Sequence, residues 1–322
     1  MRILITGAGG AAAISVWKSL GQEHELFMAD MDPCAAGLYL VPGERRFIIP
    51  AGDAPEYLAT LLAICLQNKI QLLIPTVDAE LVPIAKEEQE FTSKGIILAL
   101  SSLTTLELCR DKYKLMNFCQ DTGFTPQYSL LTTQSSLDAY HFPCFAKPRL
   151  GSGSQGAIVI QSKEELNALP KDSSYLIQEL LSGEEYSVDV YIHSKGFALA
   201  AVPRLRMKID SGIAVASQTK INPQLAQMAL KIIQKVGIKY VANIQFKANA
   251  AGEFKLLEIN PRFPGTLPLT AAAGIDIPKL LIKDINGEIT GKELLPFNEL
   301  MVVRYWTEKF LAIDEWRTLC QH

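Results

Sequence analysis

Three polar residues spaced two apart, Glu258, Asn260 and Arg262, offer the first chemistry in this chain. They close the apolar run Leu256-Leu257-Glu258-Ile259 and enter a loop rich in Pro and Gly. On an extended chain, residues two apart point to one face, so a carboxylate and an amide oxygen converge at a strand end. Oxygen donors of this kind suit Mg²⁺, with Mn²⁺ as a substitute, because such an ion keeps much of its shell for water and phosphate. A guanidinium beside them would neutralise a phosphoryl group in transfer. Upstream, Val241-Ala-Asn-Ile-Gln-Phe246 alternates, and the turn Asn249-Ala-Ala-Gly252 predicts a hairpin that sets Gln245 beside Glu258.

The second constellation is Lys147-Pro148-Arg149-Leu-Gly151-Ser-Gly153-Ser154-Gln-Gly156, preceded and followed by strand-like runs. Glycines let backbone N–H groups approach phosphate oxygens, and serine hydroxyls add donors. No Gly-Lys-Ser/Thr opens a helix here, so this is not a Walker A loop. Further candidates point to a substrate. Arg204 and Arg206 share one strand face and can form a bidentate anion site. Asp78 and Glu80 follow the strand Ile70-Gln-Leu-Leu-Ile74, where open α/β sheets place ligands; the alternative is a helix N-cap at Asp78 with Glu80 in the first turn.

The elements that position these residues begin with alternating β and α. Ile3-Leu4-Ile5-Thr6 leads through Gly7-Ala-Gly9-Gly10 to a helix at 11–20 and a strand ending at Asp30. This is close to a dinucleotide fingerprint, so a nicotinamide-dependent oxidoreductase is one reading. A helical pattern with a bend near Lys112 follows, then the Gly-rich hairpin. An amphipathic helix over 223–236 stops at Gly237, and one helical segment is expected across 271–282. The tail from Gly291 holds a short strand at 300–303 and a terminal helix.

The pairing of Asn-Ile-Gln-Phe246 with Glu258-Ile-Asn-Pro-Arg262 resembles the ATP-grasp superfamily, specifically one nucleotide-binding unit of carbamoyl phosphate synthase large chains. Gln245 is the variant found in that branch, where most of the superfamily has Glu. The resemblance covers about residues 1–285. It implies an α/β, Rossmann-like pre-ATP-grasp domain over 1–105, then an α+β ATP-grasp fold over 106–290. The lid would span about 113–182, the body 183–290, with an extension over 291–322 packed on the body. It further implies that Lys147 and Lys112 reach ATP, that Gly151, Gly153, Ser154 and Gly156 form the lid loop, and that Glu179 and the Leu181 backbone hold adenine. Glu185 would bind ribose, and Gln245, Glu258 and Asn260 would hold Mg²⁺. The chemistry implied is ATP-dependent, ADP-forming ligation of a carboxylate to an amine, or to a thiol, through an acyl phosphate. Asp78, Arg204 and Arg206 would then face the substrates, and Asp78 would receive an ammonium, which favours an amino acid. Kinase-like phosphoryl transfer and non-catalytic ATP binding remain alternatives.

Composition bounds the partners. The chain has 322 residues, 48% hydrophobic and 20% charged, with net charge −3, so no basic field draws nucleic acid or an anionic membrane. A signal-like leader and an apolar span are lacking, so a cytoplasmic protein is expected; a homodimer stays open. Six cysteines without a Cys-x-x-Cys pair read as reduced thiols, and four scattered histidines argue against zinc.

Overall fold

The computed structural model describes residues 1–151, 153 and 155–319. The first hundred residues alternate as the sequence predicts. They form β1 (Arg2–Thr6), α1 (Ala11–Leu20), β2 (Glu25–Asp30), β3 (Arg46–Ile48), α2 (Tyr57–Gln67), β4 (Leu72–Ile74), α3 (Asp78–Lys86), α4 (Glu88–Thr92) and β5 (Ile97–Leu98). The strands make one parallel sheet in the order β3-β2-β1-β4-β5. Helices cover both faces, so β1 and β4 are apolar on both sides rather than alternating.

The predicted bend at Lys112 is a break between two helices, α5 (Leu103–Arg110) and α6 (Lys112–Cys119). Asp111 lies between them in extended conformation and caps α6 by accepting from the N–H groups of Tyr113 and Lys114. The lid follows as β6 (Tyr128–Thr132), β7 (Cys144–Pro148), β8 (Ile158–Ile160), α7 (Lys163–Asn167) and β9 (Asp172–Glu179), an antiparallel sheet in the order β6-β9-β7-β8.

The body contains β10 (Glu185–Ile192), β11 (Ala198–Asp210), β12 (Ile213–Thr219), α8 (Pro223–Val236), β13 (Tyr240–Ala248), β14 (Phe254–Asn260), α9 (Leu267–Ala272), α10 (Ile277–Ile285) and β15 (Met301–Val303), and α11 (Ile313–Leu319) ends the described chain. Its antiparallel sheet runs β14-β13-β10-β11-β12-β15, so the tail supplies an edge strand. One face packs on α8, whose Asn222 cap accepts from the Leu225 N–H and whose apolar stripe includes Leu225, Ile232 and Val236. Gly237 ends that helix at φ +78, a left-handed conformation that costs glycine little. The single helix expected over 271–282 is two, because Gly274 takes φ +114 and breaks the run between α9 and α10.

The first domain and the body share a core rather than a linker. Ile3, Val16 and Leu20 pack in the same cluster as Phe263, Leu267 and Leu281. Ser15 Oγ donates to the Gly265 carbonyl at 3.0 Å, and a Cβ on Gly265 would lie 2.8 Å from that of Ala11. The glycine turn after β1 is therefore abutted by the body. Asp30, the acidic residue of the dinucleotide reading, accepts instead from the backbone N–H groups of Gly9 and Asp32.

Glu80 is buried and accepts from the Thr6 hydroxyl. Burial, with the Asp30 charge adding to it, raises its carboxyl from about 4.5 to about 7, while the Thr6 bond pulls the other way. The folded protein thus keeps a proton between pH 4.5 and 7 that the unfolded chain has released. Stability falls through that window and its loss is constant above it. Glu80→Gln should gain on the order of 3 kcal/mol at pH 8 and almost nothing near pH 4.5, measured by denaturant unfolding. An equal gain at both pH values would show that ionisation is not the cause.

Candidate active site

The hairpin of β13 and β14 supplies one wall. Its register pairs Gln245 with Glu258 and Asn243 with Asn260, as alternation predicts. Asn260 Nδ2 donates to Glu258 Oε1 at 3.0 Å, so the amide oxygen is the end left to ligate. The register then shifts, since Phe246 pairs with Leu256 and Leu257 has no opposite residue. A bulge of this kind leaves one backbone unit outside the ladder. Lys147 Nζ, carried by β7 of the lid, donates to the freed Leu257 carbonyl at 3.0 Å.

Lys147 is 7% exposed, and burial lowers its ammonium to about 8 against the pull of Glu258, with Lys112 lowering it further. Lys112 is also buried and donates to the Gly151 carbonyl at 2.7 Å. Burial lowers its pKa too, opposed by Glu258 and Asp78. Asp111, next to it, accepts a bidentate pair from Arg149 at 2.9 and 2.7 Å, which fixes the start of α6 against the lid.

These groups border a cleft of about 370 Å³ between lid and body. Among the described residues, Lys112, Lys147, Arg206, Lys247 and Arg262 line it against only two carboxylates, Glu185 and Glu258. A chain with net charge −3 has concentrated positive charge here. Across the cleft, Leu150, Val159, Ile209 and Ile213 are exposed apolar side chains in the wall, an arrangement that marks a ligand groove. The two isoleucines flank the β11–β12 turn, which the sequence reading leaves out of the site. A second chamber of about 190 Å³ shares Lys112, Gly151, Glu258 and Asn260 with the first and adds Asp78 and Arg110.

The other expected residues divide. Gly151 and Gly153 line the cleft at φ +114 and +68, which favour glycine. Gly156 turns the loop back against Pro148, and Ser154 lies outside the described residues. Leu181 lines the cleft, as does Glu185, whose carboxylate is 2.9 Å from Arg206 Nε. Glu179 turns away and accepts from the Gln127 N–H at 2.9 Å. Its neighbour Gln178 pairs with Phe145 and faces in, buried, with no partner for Oε1 among the described residues. Alternation along β9 carries that signal, but it does not choose between two adjacent polar residues.

Arg206 lines the cleft, whereas Arg204 lies beneath it and is 1% exposed. Arg204 donates twice to Asp189 at 2.7 Å, and Asn243 and Thr270 complete that carboxylate's shell. Arg204 Nη1 has no hydrogen-bond partner among the described residues. Asp78 opens α3 rather than capping it and binds Arg262 through Nε and Nη2 at 2.8 and 2.9 Å. From the tail, where the sequence shows no chemistry, Arg304 reaches the Gly265 carbonyl.

A parallel α/β domain, a small antiparallel sheet and a larger body sheet, with a cationic cleft lined by the last two, make up the ATP-grasp fold. The family model for the PylC-like N-terminal domain matches residues 3–99, and that for the ATP-grasp in the biosynthetic pathway with Ter operon matches 171–309. The chain thus carries an ATP-grasp domain behind a PylC-like N-terminal domain. It is similar to the D-alanine–D-alanine ligase of Thermotoga maritima, 29% identical over 204 residues that cover 56% of this chain and 67% of that one. It is also similar to the carbamoyl phosphate synthase large chain of Clostridium beijerinckii, 31% identical over 60% of this chain but 20% of that one. In fold it matches a biotin carboxylase from Campylobacter jejuni, with a TM-score of 0.76 at 17% identity, over 93% of this chain and 74% of that one.

Arg204→Met should destabilise the protein by roughly 3–5 kcal/mol, because Asp189 is left charged and buried without its partner. Thermal or denaturant unfolding measures this. A near-native midpoint would show that the pair carries little.

Proposed function

We propose that this protein is an ATP- and Mg²⁺-dependent, ADP-forming ligase that joins a small carboxylate to an amine. The observation that carries the reading is the cleft itself: buried Lys112 and Lys147, with Arg206 and Arg262, surround one carboxylate–amide pair, Glu258 and Asn260. Buried ammonium groups are held below their usual range until an anion arrives, and a triphosphate has the charge and length to meet several at once.

Glu258 and Asn260 on β14 and Gln245 on the paired strand β13 offer hard oxygen donors, a set that fits Mg²⁺. The ion, when bound, would neutralise charge on the β- and γ-phosphates. The chain's own residues do the rest. Lys147 and Lys112 bind the phosphates, and Gln178 and the Leu181 backbone face the base, with Phe145 and the exposed isoleucines flanking it. Glu185 is placed for the ribose hydroxyls. Arg262 stabilises charge as the acceptor carboxylate oxygen bonds to the γ-phosphorus and the bond to ADP breaks. The amine nitrogen then bonds to the acyl carbon, phosphate leaves, and the amine gives up a proton. Positioning and charge account for the rate, without covalent catalysis by the protein. The second chamber, sharing the Glu258–Asn260 wall, gives the acceptor room beside the reacting phosphate.

A screen of acids and amines for stimulated ADP release tests the reading. Glu258→Gln should lower turnover on the order of 100-fold or more with unfolding unchanged. Activity near wild type in that variant overturns the assignment.

Lys147 gives a separate signature. Below pH 8 it is charged in the free protein, and a bound triphosphate raises its pKa, so binding takes up a proton above that value. The dissociation constant for Mg-ATP should be flat below about pH 7.5 and then rise, approaching about tenfold per pH unit. Lys147→Met should bind more weakly and lose the pH dependence. A flat profile in the wild type places the charge elsewhere.

A further inference from the structure

Two ion pairs near the cleft differ in one respect that decides their roles. The Arg204–Asp189 side chains are 1% and 0% exposed and locked by further bonds. The Arg262–Asp78 side chains are 21% and 32% exposed, a partly solvated pair whose net worth is small. The first cannot exchange partners without stranding a buried charge, whereas the second can.

The second pair also stands on a boundary. Arg262 lines the larger cleft and Asp78 lines the smaller chamber, while Glu258 and Asn260 belong to both. Arg262 spends its Nε–Nη2 edge on Asp78, and Nη1 also donates to the Phe263 carbonyl at 3.4 Å, so a phosphate that takes the Nε–Nη2 edge has to displace Asp78. Once it breaks, Asp78 loses its paired guanidinium and presents its carboxylate to a chamber lined by Leu81, Val82 and Leu106, with Arg110 and Lys112 also on its wall. A carboxylate in partly apolar surroundings seeks a cation.

We propose that Asp78 and Arg262 form a charge switch: the triphosphate draws Arg262 into the larger cleft, and Asp78, released, receives the primary ammonium of the acceptor in the smaller chamber. Resting on the ligase reading, this adds a substrate class and an order of events. The acceptor is a small zwitterion, with its ammonium toward Asp78 and Arg110 available to its anionic end. ATP prepares the site for it. Asp78 acts on the phosphate only through Arg262 and is a positioning residue in that role.

The test measures the dissociation constant of Mg-AMP-PNP for wild type, Asp78→Asn, Arg262→Met and the double variant. Nucleotide has to compete for Arg262 only where Asp78 is charged, so Asp78→Asn should bind about two- to fivefold more tightly than wild type. In the Arg262→Met background the same change should give no gain. An unchanged or weaker affinity in Asp78→Asn overturns the switch. An equal gain in both backgrounds also overturns it, since that is general relief of negative charge. A wild type that binds no nucleotide removes the ligase reading and the switch with it; a missing gain in a protein that binds nucleotide removes the switch alone. For the substrate class, amino acids and their desamino counterparts are compared for ADP release. Stimulation should require the amine, and in Asp78→Asn the KM for the amino acid should rise about tenfold without a rise in that for ATP. Stimulation by desamino acids that survives Asp78→Asn removes the ammonium from the proposal.

Discussion

The bond from Lys147 Nζ to the Leu257 carbonyl joins lid to body, and the site is arranged around it. It falls on the edge strand of the body sheet, at the residue where the β13–β14 register shifts. Two other cations of the cleft are satisfied in the same manner. Lys112 donates to the Gly151 carbonyl, and Arg206 to the Gly212 carbonyl at 2.9 Å. A carbonyl accepts a hydrogen bond but carries no net charge. For the two lysines the donor is therefore paired while the charge is not, whereas Arg206 also has the Glu185 carboxylate 2.9 Å from its Nε; on the proposed reading, phosphate oxygens would take over the lysine bonds with a gain in Coulomb energy. Both the lid loop and the β11–β12 turn contribute such placeholder carbonyls, so both lie where a triphosphate would displace protein contacts.

Such a concentration of like charge needs a rigid support. The Asp189 carboxylate, at the centre of the body sheet, accepts from Arg204, Asn243 and Thr270 and ties β10, β11, β13 and α9 together. Asn243 pairs in register with Asn260, so this buried cluster lies one strand from the oxygen donors at the cleft. A fully buried charge is costly unless its hydrogen bonds are complete, and three partners bring Asp189 close to that condition. The orphaned Nη1 of Arg204 is the one incomplete point.

Much of this was legible in the sequence, and the boundary is physical. Local patterns carry local facts: alternation along β13 and β14 placed Gln245 beside Glu258, and the glycine spacing marked the lid loop. Side-chain partners across the chain are not local. Asp78 and Arg262 stand 184 residues apart, and nothing near either announces the other. Arg204 and Arg206 share a face by period, yet depth in the sheet separates them, leaving one in the core and one in the cleft. Glu179 and Gln178 show the limit of strand reading, because which of two neighbours faces inward depends on pairing with β7. The bulge at Leu257, whose carbonyl takes the Lys147 bond, leaves no mark among apolar residues.

The shared wall of the two chambers explains why so few residues carry so much. A phosphoryl acceptor and a nucleotide must bring reacting atoms to about 3–3.5 Å of each other, and holding both in place lowers the barrier by removing their freedom beforehand. Glu258 and Asn260 border both spaces, so on the proposed reading a γ-phosphate on one side would meet an acceptor on the other. Lys112 and Gly151 close the same wall from the lid side. Any lid movement that narrows the larger cleft therefore also reshapes the smaller chamber. Binding in one space and geometry in the other are coupled through the same four residues, without a longer pathway through the fold.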